Sequence, residues 1–132
     1  HPKTNHTEYP EYFGKRHVIR NQLIPLIKKS KLTMTHNSST LSLVALERKP
    51  ILILTNVAFE KAISVSRIMK LTAASFGKTP IDVDQLPYSI DWQKELIADE
   101  SIYSNYVQQY VKKADSEQLN SWQILANRLK KL

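Results

Sequence analysis

With 132 residues, 42% of them apolar, the chain has the material for one domain around one core, while two glycines and no cysteine leave no glycine-rich phosphate loop, disulfide framework, thiolate metal site or cysteine nucleophile. Nineteen Lys/Arg against 12 Asp/Glu give a net charge of +7, and the excess is uneven: residues 1–80 hold 13 basic and 4 acidic side chains, residues 81–132 hold 6 and 8. An excess of this size on one part of a chain draws polyanions such as nucleic acid, an anionic membrane surface or an acidic protein.

The polar run over residues 1–11 reads as a flexible N-terminal tail, leaving 12–132 as a single α+β binding domain. No apolar run approaches the roughly 18–20 residues of a membrane span, and the start lacks the apolar stretch of a signal peptide, so a soluble, intracellular domain is expected. From Lys15 to Lys29, Val18, Ile19, Leu23, Leu26 and Ile27 recur at helical spacing, with Pro25 predicting a helix end near Ile24. The period then changes to two. Leu32 and Met34 share a face, His36-Asn37-Ser38-Ser39 supplies turn chemistry, and Leu41, Leu43 and Ala45 alternate with their neighbours, which predicts a hairpin. After the polar break Glu47-Arg48-Lys49-Pro50, the run Ile51-Leu52-Ile53-Leu54 reads as a buried third strand of an antiparallel meander.

Ala58, Ala62, Val65, Met69 and Thr72 mark a helix over 58–76; a second reading caps it at Ser64, with Phe59 to Ala62 as a turn and the helix confined to Val65–Ser75. Gly77 suits its stop, and Pro80 and Pro87 bound an extended connection carrying Asp82, Asp84 and Asp91. Two helices follow, over 91–114 and, capped by Ser116, over 116–132, where Leu119, Trp122, Ile124, Leu125 and Leu129 are the apolar positions. The sum is a small antiparallel sheet of about three strands packed with an N-terminal helix, a central helix and a C-terminal helical pair.

Motifs for chemistry are sparse. His1, His6, His17 and His36 lack the spacing that places two imidazoles on one helical face, Asp82 and Asp84 read as a solvated pair, and no Ser lies in a nucleophile-elbow pattern. The expectation is a non-enzymatic domain with no cofactor, metal or catalytic residue. The basic residues carry more information: Lys15, Arg16 and Arg20, then Lys28, Lys29 and Lys31, then Arg48 and Lys49, then Arg67, Lys70 and Lys78. These are phosphate-binding candidates, and Arg48, Lys49 and Arg67 are the ones placed to reach base edges. Tyr9, Tyr12 and Phe13 beside Lys15-Arg16, and Trp122 in the last helix, are candidates for stacking or protein contact.

With these elements in place, Ala62-Ile63-Ser64-Val65-Ser66-Arg67-Ile68-Met69-Lys70-Leu71-Thr72 resembles the segment that follows the strands in fungal APSES and viral KilA-N domains. A longer stretch, Leu23 to Ser75, is similar to the divergent APSES-like domain of bouquet proteins that tether telomeres to the nuclear envelope. There too a Leu-Ile-Pro like Leu23-Ile24-Pro25 precedes a hairpin, a Pro-led strand like Pro50–Leu54 follows, and a helix opens on Ile-Ser like Ile63-Ser64. The chain departs from the family in lacking its Gly-X-Trp-Val/Ile-Pro segment. Ile51 to Lys70 also resembles the second strand and helix of Alba-type nucleic-acid binders, a fold that needs a long C-terminal hairpin where this chain reads as helix. These resemblances imply a nuclear, chromatin-associated module binding nucleic acid, DNA rather than RNA, or alternatively docking a chromatin-associated protein; self-association through the C-terminal amphipathic helix is a special case of such docking.

Overall fold

The computed structural model describes residues 10–85 and 90–131. Of the expected tail only residues 10 and 11 fall within them, and His1, His6, Tyr9 and Pro87 lie outside the described residues. The elements are α1 (Leu23–Lys29), β1 (Thr33–Thr35), α2 (Leu41–Leu46), β2 (Ile51–Thr55), α3 (Val57–Lys61), α4 (Ile63–Ser75), β3 (Ile81–Asp82), α5 (Trp92–Glu95), α6 (Glu100–Tyr110) and α7 (Ser121–Leu129). The chain is α+β, with its strands in one small sheet of order β1-β2-β3. Both pairings are parallel, Thr33 opposite Ile51 and Leu54 opposite Ile81.

The parallel sheet corrects the predicted antiparallel meander, and the reason lies in residues 41–46. Leu41, Leu43 and Ala45 do alternate, but the side chains that become buried are Leu41, Val44 and Ala45, at helical spacing. A run this short satisfies both periods, and burial on one face selects the helix. The expected turn residues instead launch that helix: the Ser38 hydroxyl accepts the Thr40 amide at 3.2 Å, and the Leu41 amide donates to the Ser38 carbonyl at 3.2 Å. With α2 in the connection there is the length of chain that a parallel return needs, and β2 runs parallel to β1. The hairpin that the APSES-like resemblance places after Leu23-Ile24-Pro25 is, in this fold, a strand followed by a helix.

Other boundaries shift for equally local reasons. Pro25 lies in the first turn of α1, where amides have no intrahelical partner, so proline costs nothing there, and the helix runs from Leu23 onward instead of ending near Ile24. The central helix is divided at Ala62 (φ −84°, ψ 87°), and the side chain of Asn56 caps α3 by accepting the Phe59 amide at 2.8 Å. Neither reading of that segment anticipated a separate α3. The helix expected over 91–114 is interrupted where Asp99 caps α6 through the Ser101 and Ile102 amides, and the last helix starts at Ser121, capped reciprocally by Asn120 and Gln123 instead of Ser116.

Two helices end alike on different residues. After α4 the amides of Gly77 and Lys78 donate back to Ala74 and Ala73, with Gly77 at φ 65°. After α2 the amides of Arg48 and Lys49 donate back to Ala45 and Val44, with Arg48 itself at φ 52°. Glycine is the usual residue at that left-handed position, so an arginine there carries a backbone cost that its side chain must offset. It does so by bonding the Ala45 carbonyl, the Ser104 hydroxyl at 3.1 Å and the Glu100 carboxylate at 3.1 Å, which clamps the end of α2 to α6.

In the central strand, Ile51 and Ile53 alternate with Leu52, and all three are buried, as for a parallel strand covered on both faces. Ile51 and Ile53 join Ile27, Leu41, Val44, Ala45, Ala73, Phe76 and Tyr103 in one apolar cluster. Tyr103 is fully buried and meets Phe76 edge-on at 5.2 Å, while Phe76 lies against Tyr106 at 4.2 Å, so aromatic rings join α6 to the end of α4.

Candidate nucleic-acid interface at the amino end of the sheet

In a parallel sheet every strand begins at the same end. The Thr33 amide donates to the Pro50 carbonyl at 2.9 Å, so the segments leading into β1 and β2 lie side by side. Those segments are Lys28-Lys29-Ser30-Lys31-Leu32 and Glu47-Arg48-Lys49-Pro50, and the fold thereby gathers Lys28, Lys29, Lys31, Arg48 and Lys49 at one edge of the molecule. Lys28 reaches Glu47 at 3.6 Å across the ends of α1 and α2. Both helices also direct their carboxyl ends here, and the partial negative charge of those ends favours cations beside them.

The acids at this end are already matched. Glu47 faces Lys28, Glu100 faces Arg48, and Glu95 faces Lys78 at 3.1 Å. Lys29, Lys31 and Lys49 form no ion pair among the described residues; Lys29 and Lys31 are exposed and Lys49 is half-buried. The Lys49 backbone is fixed from below, because the buried Tyr103 hydroxyl donates to its carbonyl at 3.0 Å. Burial raises the Tyr103 phenol to about 12, so it is a neutral donor across the ordinary range.

The remaining candidates are either locked into the structure or placed elsewhere. Lys78 is a structural cation: its side chain is only 6% exposed, and it bonds the Glu95 carboxylate and the Lys94 carbonyl, tying the approach to β3 onto α5. Lys70 donates to Glu60 at 2.6 Å, in a cluster where Glu60 also accepts from Ser66 at 2.8 Å and Thr55 at 3.1 Å. Those bonds, Lys70 first, hold the Glu60 carboxyl below its ordinary value. Arg67 is exposed on the outward side of α4, near this cluster and therefore toward the carboxyl end of the sheet. Lys15, Arg16 and Arg20 are exposed in the segment between a short 3-10 turn, Pro10–Phe13, and α1. Tyr12 is exposed and Phe13 half-buried, whereas Trp122 is 79% exposed on α7.

The carboxyl end has a different character. Asp84 accepts the Val57 amide at 2.8 Å, and Asp82 accepts the Asp84 amide at 3.0 Å and the Gln85 side-chain amide at 2.8 Å, so both aspartates have structural duties in place of the solvated role expected for them. His36 stacks on Phe59 with ring centroids 5.0 Å apart. Among the described residues no group of three His, Cys, Asp or Glu side chains is arranged to hold a metal ion, and no helix is long and apolar enough to cross a membrane.

Sequence reasoning found the lysines but missed which of them would meet. The signal was present as a basic residue shortly before each apolar strand; the direct pairing of β1 with β2 was needed to turn it into a patch. The pairing of Lys78 with Glu95 and of Arg48 with Glu100 had no signal, because the partners are distant in the chain. In comparisons with known proteins, the chain matches no family model, no curated protein and no solved structure.

Proposed function

We propose that the chain is a non-enzymatic nucleic-acid-binding module that grips a phosphate backbone at the amino end of its parallel sheet. The observation that carries this reading is the convergence of Lys29, Lys31 and Lys49, all without an acidic partner among the described residues, beside the carboxyl ends of α1 and α2. Lysines so placed neutralise phosphates and release counterions, which supplies affinity without sequence choice. Lys28 adds to the patch when its long contact to Glu47 is exchanged for a phosphate. Arg48, the arginine nearest the patch, is committed to Glu100 and Ser104, so the interface positions a backbone and does not read bases through it.

The Alba-type resemblance spans β2, α3 and the first part of α4 here, so a separate helix stands between its strand and its helix. The described residues after β3 form helices where that fold has a hairpin. DNA in a chromatin setting within the nucleus remains the favoured target, on the strength of the resemblances and the charge.

The test is binding of the purified chain to short fluorescent duplex DNA, single-stranded DNA and RNA. Three phosphate contacts predict that affinity falls about 40-fold between roughly 50 and 200 mM salt. Absence of binding at the low-salt limit defeats the proposal, and an affinity indifferent to salt removes phosphate gripping as its basis.

A further inference from the structure

The last helix is built the wrong way round for a helix that serves only its own fold. Trp122, Leu125, Ala126 and Leu129 recur at i, i+3, i+4 and i+7 on α7 and are all exposed, Trp122 at 79% and Leu129 at 61%. The residue turned inward is Ile124, which lines a shallow groove with Leu46, Tyr110, Val111 and Leu119. An amphipathic helix normally buries its apolar stripe and leaves its polar side to water. Here the better apolar face is outside, although the helix is firmly started by the reciprocal bonds of Asn120 and Gln123, at 2.9 and 3.0 Å. The helix is therefore ordered by local capping and sparse packing, with its stripe left over.

We infer that α7 is a recognition helix whose Trp122, Leu125 and Leu129 insert into an apolar, acidic-rimmed groove on a partner protein. The i, i+3, i+4, i+7 anchors are the pattern by which one amphipathic helix occupies a groove. The sign of the rim follows from charge: Arg128, Lys130 and Lys131 flank the stripe, and none of them forms an ion pair among the described residues. A second α7 offers these cations no acid: packed in parallel it brings like charges together, and packed antiparallel it sets them against neutral Asn120, Ser121 and Gln123. Within α7 only Arg128 is charged and Ser121, Gln123 and Asn127 are neutral, unlike the Lys/Arg-rich polar face of a helix that lies on a membrane. The stripe shares no residue with the lysines of the sheet's amino end, although Leu46 beside them lines the groove under Ile124, so separate variants of the two sets tell the proposals apart.

Fluorescence of Trp122 in the 132-residue Trp92→Phe chain reads the stripe directly, since these are its two tryptophans. The probe is calcium-loaded calmodulin, a methionine-lined groove with an acidic rim; anionic phosphatidylserine vesicles and the chain alone over a concentration series are the other arms. The expected result is a blue shift of Trp122 with calmodulin that weakens on the order of 30-fold in Leu129→Ser, as for an interface anchor. Reversing Arg128, Lys130 and Lys131 to Glu weakens it by roughly tenfold or more. Because these side chains are exposed, the variants retain the fold, which circular dichroism verifies. A blue shift on vesicles alone overturns the inference in favour of a membrane surface, and self-association that buries Trp122 overturns it in favour of a second copy. An emission unchanged in every arm leaves the stripe as solvated surface and also overturns it.

Discussion

The two ends of the same sheet handle charge in opposite ways. At the amino end the carboxylates of Glu47, Glu95 and Glu100 each face a cation, and Lys29, Lys31 and Lys49 remain over. At the carboxyl end, backbone amides and hydroxyl groups satisfy Asp82, Asp84 and Glu60, and Lys70 is the cation drawn in. The difference shows what a parallel sheet does to a sequence. Basic residues shortly before adjacent parallel strands become neighbours, whereas in an antiparallel meander Lys31 and Lys49 would share an end but be held about 10 Å apart by the strand between them. A charge pattern thus becomes a patch once α2 leaves the sheet and β1 and β2 pair directly.

The comparison breaks most severely if the amino end loses its support. Tyr103→Ala removes a fully buried ring and the bond to the Lys49 carbonyl, and is expected to cost on the order of 3–5 kcal/mol in urea denaturation, enough to unfold a marginal domain. Tyr103→Phe, which deletes only the hydroxyl, costs about 1 kcal/mol. The same residue sets an alkaline limit. Its folded value, about 12, is above its ordinary 10.0, so the protonated form stabilises the fold fully below pH 10.0, and that contribution is lost as pH rises through about 12. A phenol titration monitored at 295 nm alongside circular dichroism should show ionisation and unfolding together.

Next in size is the functional contrast. Reversing Lys29, Lys31 and Lys49 to Glu is expected to weaken nucleic-acid binding on the order of 100-fold at low salt while moving the urea midpoint little. Gly77→Ala tests the helix end that uses glycine where the other uses arginine. At φ 65° a Cβ would stand 2.7 Å from the Ile102 Cδ1, and the expected loss is about 1–2 kcal/mol.

The carboxyl end should respond to acid. Glu60 is lowered in the folded state, so its contribution to stability is present above its ordinary 4.5 and is lost as pH falls through the lower folded value. Acid unfolding of Glu60→Gln should lack that component. The smallest effect is expected from Arg67→Glu, with less than roughly a threefold change in nucleic-acid affinity. A loss as large as that of the triple lysine variant would move the interface to α4 and end the distinction between the two ends.

Much of the fold was legible along the chain. The buried strand at Ile51–Thr55 and the stop at Gly77 follow from hydrophobic period and backbone preference, which are local. Residues 41–46 were misread because six residues do not separate a period of two from 3.6, and only burial of Val44 beside Leu41 and Ala45 decides between them. The candidate site was legible as residue types and illegible as a place. The basic side chains, their uneven distribution and the absence of glycine-loop or cysteine chemistry belong to the sequence, since composition and short-range order contain them. Which lysines share a surface, that Lys78 is locked to Glu95, that Arg48 spends its charge on α6, and that α7 turns Trp122 outward are decided by tertiary structure. Those outcomes depend on which strands pair and on partners far apart in the chain, and no local pattern encodes either.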